Sequence, residues 1–308
     1  MGSLFNAEGR QPHRGRRIAF FGGSFDPPHC GHLGVARAAQ AALGLDTVLF
    51  APVGAQPLKP QGTVASFDDR LAMTRLAIAT EPAFALSLDD APKLSGVPNY
   101  TLETLVALRA QLPSESALFC LMGADSFAGF SRWHRAAEIP FVAPLIVASR
   151  PSESQWLQHS LASALPEGLT IEAVPALDDL SAESLTSVKG TEGGGGFTAY
   201  RTTYSESQEA SGHDFSRAAE ATLGSGALAP EECFSEEEIV LRRYILRNRA
   251  GQQAPFYLLP GLHIEISASQ IRDQIRSQSM ATSAAPKPHP ALLPPSVLEY
   301  ILAHNLYR

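Results

Sequence analysis

The sequence predicts an α/β fold: a doubly wound parallel sheet with helices on both faces, in a single domain that a long insertion interrupts before the last strand. Short apolar segments alternate with helix-forming segments, which is typical of βαβ units and hence of parallel strands. The continuous apolar run Ala117–Met122 has the composition of a central strand that is buried on both faces. The chain of 308 residues is long enough for one large core with an appendage.

Composition narrows the classes of function. Hydrophobic residues make up 44% of the chain and charged residues 18%, as in globular proteins. The net charge of −7 argues against a surface built for nucleic acid but is compatible with a local site for a phosphorylated ligand. Cys30, Cys120 and Cys233 are too few and too scattered for a disulfide framework or a zinc cluster. Because we find no signal-peptide core and no bilayer-spanning segment, we expect a cytoplasmic protein without a membrane partner.

The first strand and helix predict an anion site. The strand Arg17–Phe21 stops at Gly22 and Gly23, and the helix Leu33–Leu43 ends at Gly44, a plausible C′ residue. A strand, a glycine turn and a helix together aim free backbone N–H groups and the positive end of a helix dipole at an anion. The two glycines also let the backbone approach a ligand closely, since no Cβ stands in the way.

Two histidines lie at the positive end of this helix. His29 and His32 are three residues apart, so they share a helix face and can reach one phosphate group. The segment is neither G-x-G-x-x-G nor G-x-x-x-x-G-K-[ST], which makes a dinucleotide fingerprint or a P-loop a poor description. A tight turn with two solvated histidines would explain either histidine alone, but not the whole run from residue 22 to 32.

The next elements predict further ligand contacts at strand ends. The second strand, Asp46–Pro52, leads into a loop with Lys59, which is either a phosphate contact or a solvated surface lysine. Ser66 starts a capped helix, and a third strand is expected over Phe84–Leu88. A further helix follows Thr101, with Thr101 itself or the nearby Asn99 as its N-cap.

The fourth and fifth strands also end in polar residues. After Gly123, Asp125 either accepts hydrogen bonds from ribose hydroxyls or caps a helix. Trp133 either stacks on a cationic aromatic ring or is a partly buried core residue. The fifth strand, Phe141–Ala148, is followed by Arg150, which could meet phosphate.

Two regions differ from the rest of the chain. Residues 1–15 are expected to form a flexible tail before the domain of residues 16–308. Residues 152–254 are Ser-, Glu- and Ala-rich with a run of four glycines, which predicts a partly disordered insertion without catalytic residues. Its strongest local signal is a helix over Ser235–Leu246, with acidic residues first and arginines later. A role for this insertion in binding a protein partner remains open.

The chain after the insertion predicts a second anion site. The strand Leu262–Ile266 is followed by Ser267, which caps the next helix. The hydroxyl of Ser269 and the guanidinium of Arg272 converge on the same helix N-terminus, and arginine suits phosphate oxygens bidentately. The alternative is an ordinary capped helix with a surface arginine.

These residues carry a resemblance. The run Gly22–His32 resembles the [H/T]-x-G-H signature of the nucleotidyltransferase superfamily, and its Gly-Gly-Ser-Phe-Asp-Pro-Pro lead is similar to bacterial nicotinate-nucleotide adenylyltransferases. Residues 266–272 match the family's Ile-Ser-Ser-Thr-x-Ile-Arg motif with two mild changes, and Lys59 matches a family lysine although Leu58 replaces the usual histidine before it. Residues 292–307 resemble the family's closing helix. The resemblance implies a Rossmann-like sheet.

The resemblance also implies an activity, namely adenylyl transfer from ATP to nicotinate mononucleotide in NAD biosynthesis. The 5′-phosphate of the mononucleotide would attack the α-phosphorus of ATP in line, releasing diphosphate and forming deamido-NAD, with Mg²⁺ arriving on ATP and no metal ligands in the protein. The residues expected to act in catalysis are His29, His32 and Arg272. Those expected to bind ATP are Gly22, Gly23, Ser24, Phe25, Gly31, Gly123, Asp125, Ser267 and Ser269. Those expected to bind the mononucleotide are Lys59, Thr101, Trp133 and Arg150.

Two other functions stay open at this point. A sister nucleotidyltransferase would act on nicotinamide mononucleotide, phosphopantetheine or glycerol phosphate. A non-catalytic nucleotide sensor would use the insertion to bind a protein.

Overall fold

The computed structural model describes residues 15–58, 62–149, 161–174, 241–259, 267–280 and 292–308. They all belong to one compact unit, Met1–Val174 with Cys233–Arg308, and a second unit, Pro175–Glu232, lies outside them. The strands are β1 Arg17–Gly23, β2 Thr47–Pro52, β3 Phe84–Leu86, β4 Ala117–Gly123, β5 Leu145–Ala148, β6 Leu169–Ala173, β7 Arg242–Asn248 and β8 Gln253–Leu259. The helices are α1 Cys30–Leu43, α2 Phe67–Ala77, α3 Thr101–Gln111, α4 Ala124–Ala128, α5 Ile139–Val142, α6 Ala268–Met280 and α7 Pro295–Ala303.

The described strands form one sheet in the order β3-β2-β1-β4-β5-β8-β7-β6. The strands from β3 to β8 in this order are all parallel, whereas β7 and β6 add an antiparallel pair at one edge. The strand order reverses between β1 and β4, and open α/β sheets bind ligands at such a switch point. The predicted fold class, a Rossmann-like doubly wound sheet, is confirmed.

Two hydrophobic cores cover the two faces of the sheet. Alternate residues of β1 enter opposite cores, because successive side chains of a strand point to opposite faces. Phe21 packs in one core with residues of α1, α2, α6 and α7, and Phe20 packs in the other with residues of α3, α4 and α5. Helices on both faces therefore hold β1 and β4 rigidly at the centre of the sheet.

Several elements begin or end at residues other than those predicted. The third strand is shorter than expected, and the fifth begins at Leu145 because residues 139–142 form α5, with Pro140 near its start where proline is tolerated. The closing helix spans only Pro295–Ala303. The predicted strand Leu262–Ile266 and the tail up to residue 14 lie outside the described residues.

The helix predicted over Ser235–Leu246 is wrong where the structure describes it. Arg242–Leu246 belong to β7, which pairs with both β8 and β6. Leu246 is fully buried against the sheet core, and pairing along both edges overrides the local helix preference. The strands β6 and β7 both lie within the predicted insertion of residues 152–254. Residues 150–160 and 175–240 lie outside the described chain, so the prediction of partial disorder stays a prediction.

Candidate active site

A cavity of about 700 Å³ opens at the switch point between β1 and β4. It is lined by every predicted site residue that the structure describes: Gly22, Gly23, Ser24, Phe25, His29, Gly31, His32, Thr101, Gly123, Asp125, Trp133, Ser267, Ser269 and Arg272. Lys59 and Arg150 lie outside the described residues. Segments far apart in the sequence thus meet at one site, and Arg272 contacts Asp26 across 246 positions.

Residues 22–29, called the phosphate loop below because the sequence predicts that they bind phosphate, are held in a compact conformation. A Cβ at Gly22 would lie 2.8 Å from Cε1 of Phe20, and a Cβ at Gly23 would lie 3.2 Å from Cζ of Phe25. Phe25 adopts a left-handed backbone with φ of 47°, and its buried ring packs edge-on against Phe21 at 5.6 Å. This backbone conformation is unfavourable for phenylalanine, so ring packing must offset its cost.

The two histidines stand together at the start of α1. His29 is the N-cap residue, and its backbone N–H donates to Nδ1 of His32 at 3.1 Å. The two rings are 3.7 Å apart between centroids, and the ring of Phe25 lies 4.9 Å from that of His32 in an edge contact. Because Nδ1 of His32 accepts this hydrogen bond, Nε2 is the protonated nitrogen of the neutral ring and a donor for an anion.

The start of α6 reaches the same cavity. Oγ of Ser267 accepts from the backbone N–H of Gln270 at 3.2 Å, which confirms the predicted cap. Arg272 donates to the carbonyl oxygen of Asp26 at 2.6 Å and to Oγ of Ser269 at 3.1 Å. The guanidinium therefore joins the N-terminal turn of α6 to the phosphate loop, and a surface arginine without a structural role is excluded.

Asp26 is a buried residue of this site that the sequence did not single out. Its carboxylate accepts from the backbone N–H groups of Val64 at 2.7 Å and Ala65 at 3.1 Å, and from the hydroxyl of Tyr307 at 2.8 Å. It is only 5% exposed. The position of Asp26 inside the glycine-proline run could have suggested a structural role, but its partners lie far away in the chain.

Arg70 is a second residue that sequence analysis missed. It is 1% exposed, and it donates to the carbonyl oxygens of Ser24 at 2.6 Å and Val53 at 2.8 Å. Burial lowers the pKa of Arg70, and the Asp26 carboxylate opposes that shift. Arg70 thus connects the phosphate loop to the end of β2. The available signal was an arginine on the apolar face of α2, one turn from the buried Met73.

Gly123 and Asp125 follow β4 at the cavity. Gly123 is the N-cap of α4, whereas Asp125 is exposed and accepts from the backbone N–H of Ser126 at 2.9 Å. A Cβ at Gly123 would lie 2.7 Å from Oδ1 of Asp125. The alternative interpretation of Asp125 as an N-cap is therefore wrong, and its carboxylate is open to a ligand in the cavity.

Thr101 and Trp133 line another part of the cavity. Thr101 is the first residue of α3, whose N-cap is Tyr100, so the prediction of Thr101 or Asn99 as the cap is wrong. Asn99 instead accepts from the backbone N–H of Ala55 at 3.1 Å and fixes the loop after β2. Trp133 is half-buried and packs edge-on against Phe130 at 5.6 Å between centroids, which leaves part of its ring at the cavity.

Asp90 is an acidic cavity residue that the sequence did not reveal. It is 4% exposed, and its Oδ1 accepts from the hydroxyl of Thr104 at 2.8 Å. Burial raises the pKa of Asp90, with the Thr104 hydrogen bond and Lys93 acting in the opposite direction. A buried carboxyl here favours the neutral form more than a surface aspartate does.

Other features concern the described part of the chain only. No group of histidines, cysteines and carboxylates there is arranged to hold a metal ion. Cys30 and Cys120 are not joined in a disulfide bond. None of the described helices combines the length and apolar character needed to cross a bilayer.

Comparisons with known proteins agree with this geometry. The cytidylyltransferase-like family matches residues 20–205. A protein of Gloeobacter violaceus named "Probable nicotinate-nucleotide adenylyltransferase" is 40% identical over 164 residues, covering 53% of this chain and 78% of the relative. A Herpetosiphon aurantiacus protein of the same name is 40% identical over 142 residues, covering 46% of this chain and 70% of the relative.

A solved structure supports the fold alone. Plasmodium falciparum nicotinic acid mononucleotide adenylyltransferase complexed with NaAD superposes with a TM-score of 0.54 at 12% identity, covering 95% of this chain and 97% of that chain. The matching family covers more than half of this chain, and the Gloeobacter relative is matched over more than two thirds of its length. The chain therefore belongs to the cytidylyltransferase-like nucleotidyltransferases and, within them, to the nicotinate-nucleotide adenylyltransferase family.

Proposed function

We propose that this enzyme transfers the adenylyl group of ATP to nicotinate mononucleotide, releasing diphosphate and forming deamido-NAD in the synthesis of NAD. One observation carries the proposal: the N-termini of α1 and α6 open on the same cavity, and Arg272 of α6 donates to the carbonyl oxygen of Asp26 in the loop before α1. Two positive helix ends at one place suit the several negative charges of a triphosphate. A single phosphate would require only one of them.

The reaction requires no nucleophile from the protein. A 5′-phosphate oxygen of the mononucleotide forms a bond to the α-phosphorus of ATP, while the bond from that phosphorus to the bridging oxygen breaks and diphosphate leaves. Catalysis then consists of holding the two phosphates in line and stabilising the charge that moves to the leaving group. The cavity brings together donors of the kind that this requires, on two rigid helix ends.

The phosphate-binding roles follow from the hydrogen bonds that the cavity residues already make. His32 would donate through Nε2 to an ATP phosphate, because its Nδ1 is already occupied by the His29 amide. Arg272 and Ser269 would contact the β- and γ-phosphates from the start of α6. These contacts grow stronger as the diphosphate gains charge, which is the condition for accelerating the chemical step.

The remaining cavity residues suit the two nucleosides. Gly123 permits close approach beside β4, and the exposed carboxylate of Asp125 would accept from ribose hydroxyls of the adenosine. Thr101 would contact the pyridine ring, and Trp133 would stack on it, since an aromatic face attracts a cationic ring. Lys59 and Arg150 stay predicted contacts of the mononucleotide.

We infer that Mg²⁺ enters with ATP. The described residues offer no metal-binding cluster of their own, and the carboxylate of Asp26 already accepts from three donors. Phosphate oxygens and water would supply most of the ligands of the ion, which suits its preference for keeping several waters. When bound, Mg²⁺ would offset phosphate charge. A cytoplasmic location and a protein partner of the insertion also stay predictions.

The decisive experiment measures diphosphate release from ATP with nicotinate mononucleotide, nicotinamide mononucleotide and phosphopantetheine. We expect the nicotinate form to be the preferred acceptor and deamido-NAD to be the product. Replacing Arg272 with Gln should lower kcat by a factor of ~100, because one charged donor to the leaving group is lost. The matched control is Arg276→Gln on the same helix, where the exposed arginine pairs with Asp273 and does not line the cavity. Equal activity of the two variants, or preference for another acceptor, would contradict the proposal.

A further inference from the structure

The last described segment, residues 292–308, contacts the phosphate loop and the residue directly after it. The carbonyl oxygen of Leu292 accepts from the backbone N–H of Cys30 at 3.0 Å, directly after the loop. The hydroxyl of Tyr307 donates to Oδ1 of Asp26 at 2.8 Å, within the loop. The second contact joins residues 281 positions apart in the sequence. Tyr307, which does not itself line the cavity, therefore contacts a residue of the loop that does.

The backbone around Tyr307 has an unfavourable conformation. The backbone of Tyr307 is left-handed with φ of 65°, and so is that of Asn305 with φ of 52°. Such a conformation is unfavourable for a residue other than glycine. The phenol of Tyr307 is nevertheless 4% exposed and packs in the core that holds α1, α2 and α6. Burial and the neighbouring Asp26 carboxylate raise the pKa of Tyr307, which keeps its hydroxyl protonated as a donor.

Asp26 is the neighbour through which Tyr307 can affect the cavity. The carbonyl oxygen of Asp26 accepts from Nη1 of Arg272 at 2.6 Å, whereas the nearest carboxylate oxygen lies 4.0 Å from the same nitrogen. A close arginine–carboxylate pair would have distances of about 2.7–2.9 Å. The carboxylate of Asp26 thus accepts from Tyr307 and from two backbone N–H groups, and it forms no close ion pair with Arg272. The guanidinium then keeps part of its hydrogen-bonding capacity for a ligand.

We propose that Tyr307 is a positioning residue of the adenylyl-transfer site: its hydroxyl fixes the carboxylate of Asp26, and thereby keeps Arg272 aimed at the phosphates of ATP. The inference rests on the proposed function of this cavity. Without the hydroxyl, Oδ1 of this buried carboxylate loses one of its two donors, and Arg272, whose Nη1 lies 4.0 Å from the carboxylate, can turn towards it. Such a shift would withdraw the guanidinium from the phosphates.

The test compares two Tyr→Phe variants of the full chain. Tyr307→Phe removes the hydrogen bond to Asp26. Tyr300→Phe removes another hydrogen bond from a tyrosine to an aspartate, which runs from the Tyr300 hydroxyl to Oδ1 of Asp69 at 3.0 Å. The second bond joins α7 to α2, and neither of its residues lines the cavity. Thermal unfolding, the kcat and KM of adenylyl transfer, and the Kd of ATP by calorimetry are measured for each variant below its melting temperature.

We expect Tyr307→Phe to lower kcat about tenfold and to raise the Kd of ATP several-fold, since it disturbs a charged donor without deleting it. Tyr300→Phe should lose less stability, because its hydrogen bond is only part-buried, and both constants should stay within twofold of wild type. In an Arg272→Gln background, Tyr307→Phe should have almost no further effect, because it acts through that arginine. A purely structural role would instead leave its effect undiminished in this background.

The outcomes separate the inference from the proposed function. If Tyr307→Phe keeps the wild-type kcat and Kd, or if Tyr300→Phe loses as much of either, the positioning role is wrong. If the wild-type enzyme binds ATP but forms no dinucleotide from either pyridine mononucleotide, the proposed function fails. The ATP affinities of the two variants would then still decide whether Tyr307 sets the phosphate site.

Discussion

Variants of His32 can separate its structural role at the start of α1 from its proposed role in catalysis. Its Nδ1 accepts from the backbone N–H of His29 at 3.1 Å, and its Nε2 remains a donor. His32→Ala removes both functions. His32→Asn keeps an oxygen at the place of Nδ1, so it can still accept from the His29 amide, but it has no donor at the place of Nε2. Comparing the two variants therefore measures the two functions separately.

The expected magnitudes differ for stability and for activity. Loss of the hydrogen bond at the helix start should cost about 1 kcal/mol of unfolding free energy in His32→Ala. The lost edge contact with Phe25, at 4.9 Å between centroids, adds about 0.5–1.5 kcal/mol. His32→Asn should avoid the first of these losses, because its side-chain oxygen can still accept from the His29 amide. Loss of one preorganised donor should lower kcat by a factor of ~100 in both variants, equivalent to about 2.7 kcal/mol.

Two assays check these values. Urea unfolding gives the free energies, and steady-state diphosphate release at saturating mononucleotide gives kcat. The reasoning is refuted if His32→Asn retains wild-type kcat, because no donor then acts at Nε2. It is also refuted if His32→Asn, the more stable variant, has a much higher kcat than His32→Ala. The histidine would then act only through the stability of the helix start.

Two further predictions concern other parts of the cavity. Trp133→Ala should raise the KM for nicotinate mononucleotide about tenfold with little change in kcat, whereas Trp133→Phe should keep most of the stacking. A large loss of kcat at unchanged KM would contradict this role of Trp133. Because burial raises the pKa of Asp90 above its ordinary value of 3.8, its contribution to stability is present below that value and is lost as the pH rises through the raised pKa. Asp90→Asn should therefore gain stability relative to wild type between about pH 4 and neutral pH in urea unfolding, and a difference that does not change with pH would be contrary to expectation.

Features that depend on local sequence could be predicted. Gly22 and Gly23, the two histidines and the cap at Ser267 each lie within a few residues of the groups that they contact. Their geometry follows from a strand end and a helix start, which short-range patterns specify well. The continuous apolar strands likewise predicted a parallel sheet, and the parallel sheet in turn predicted where its carboxyl ends would meet.

Features that depend on distant contacts could not be predicted. Tyr307 contacts Asp26 across 281 positions, and Arg70 reaches Ser24 across 46. The place of Arg70 on the apolar face of α2 indicates burial, but no local pattern identifies its partner or that of Tyr307. For the same reason β7 resembled a helix: its acidic lead and later arginines suit a helix dipole, but pairing with β8 decides its structure.

The position of the long connection explains how the site can tolerate it. Residues 175–240 join β6 to β7, which are adjacent antiparallel strands, and the backbone N–H of Val174 donates to the carbonyl oxygen of Arg243 at 3.1 Å. The chain therefore leaves and re-enters the sheet at neighbouring points. Closing a longer loop there costs only about 0.6 kcal/mol for each doubling of its length. The hairpin also leaves the pairing of β5 with β8 intact, and α6, with Arg272, follows β8. That pairing, rather than the length of the connection, determines whether the second half of the site reaches the phosphate loop.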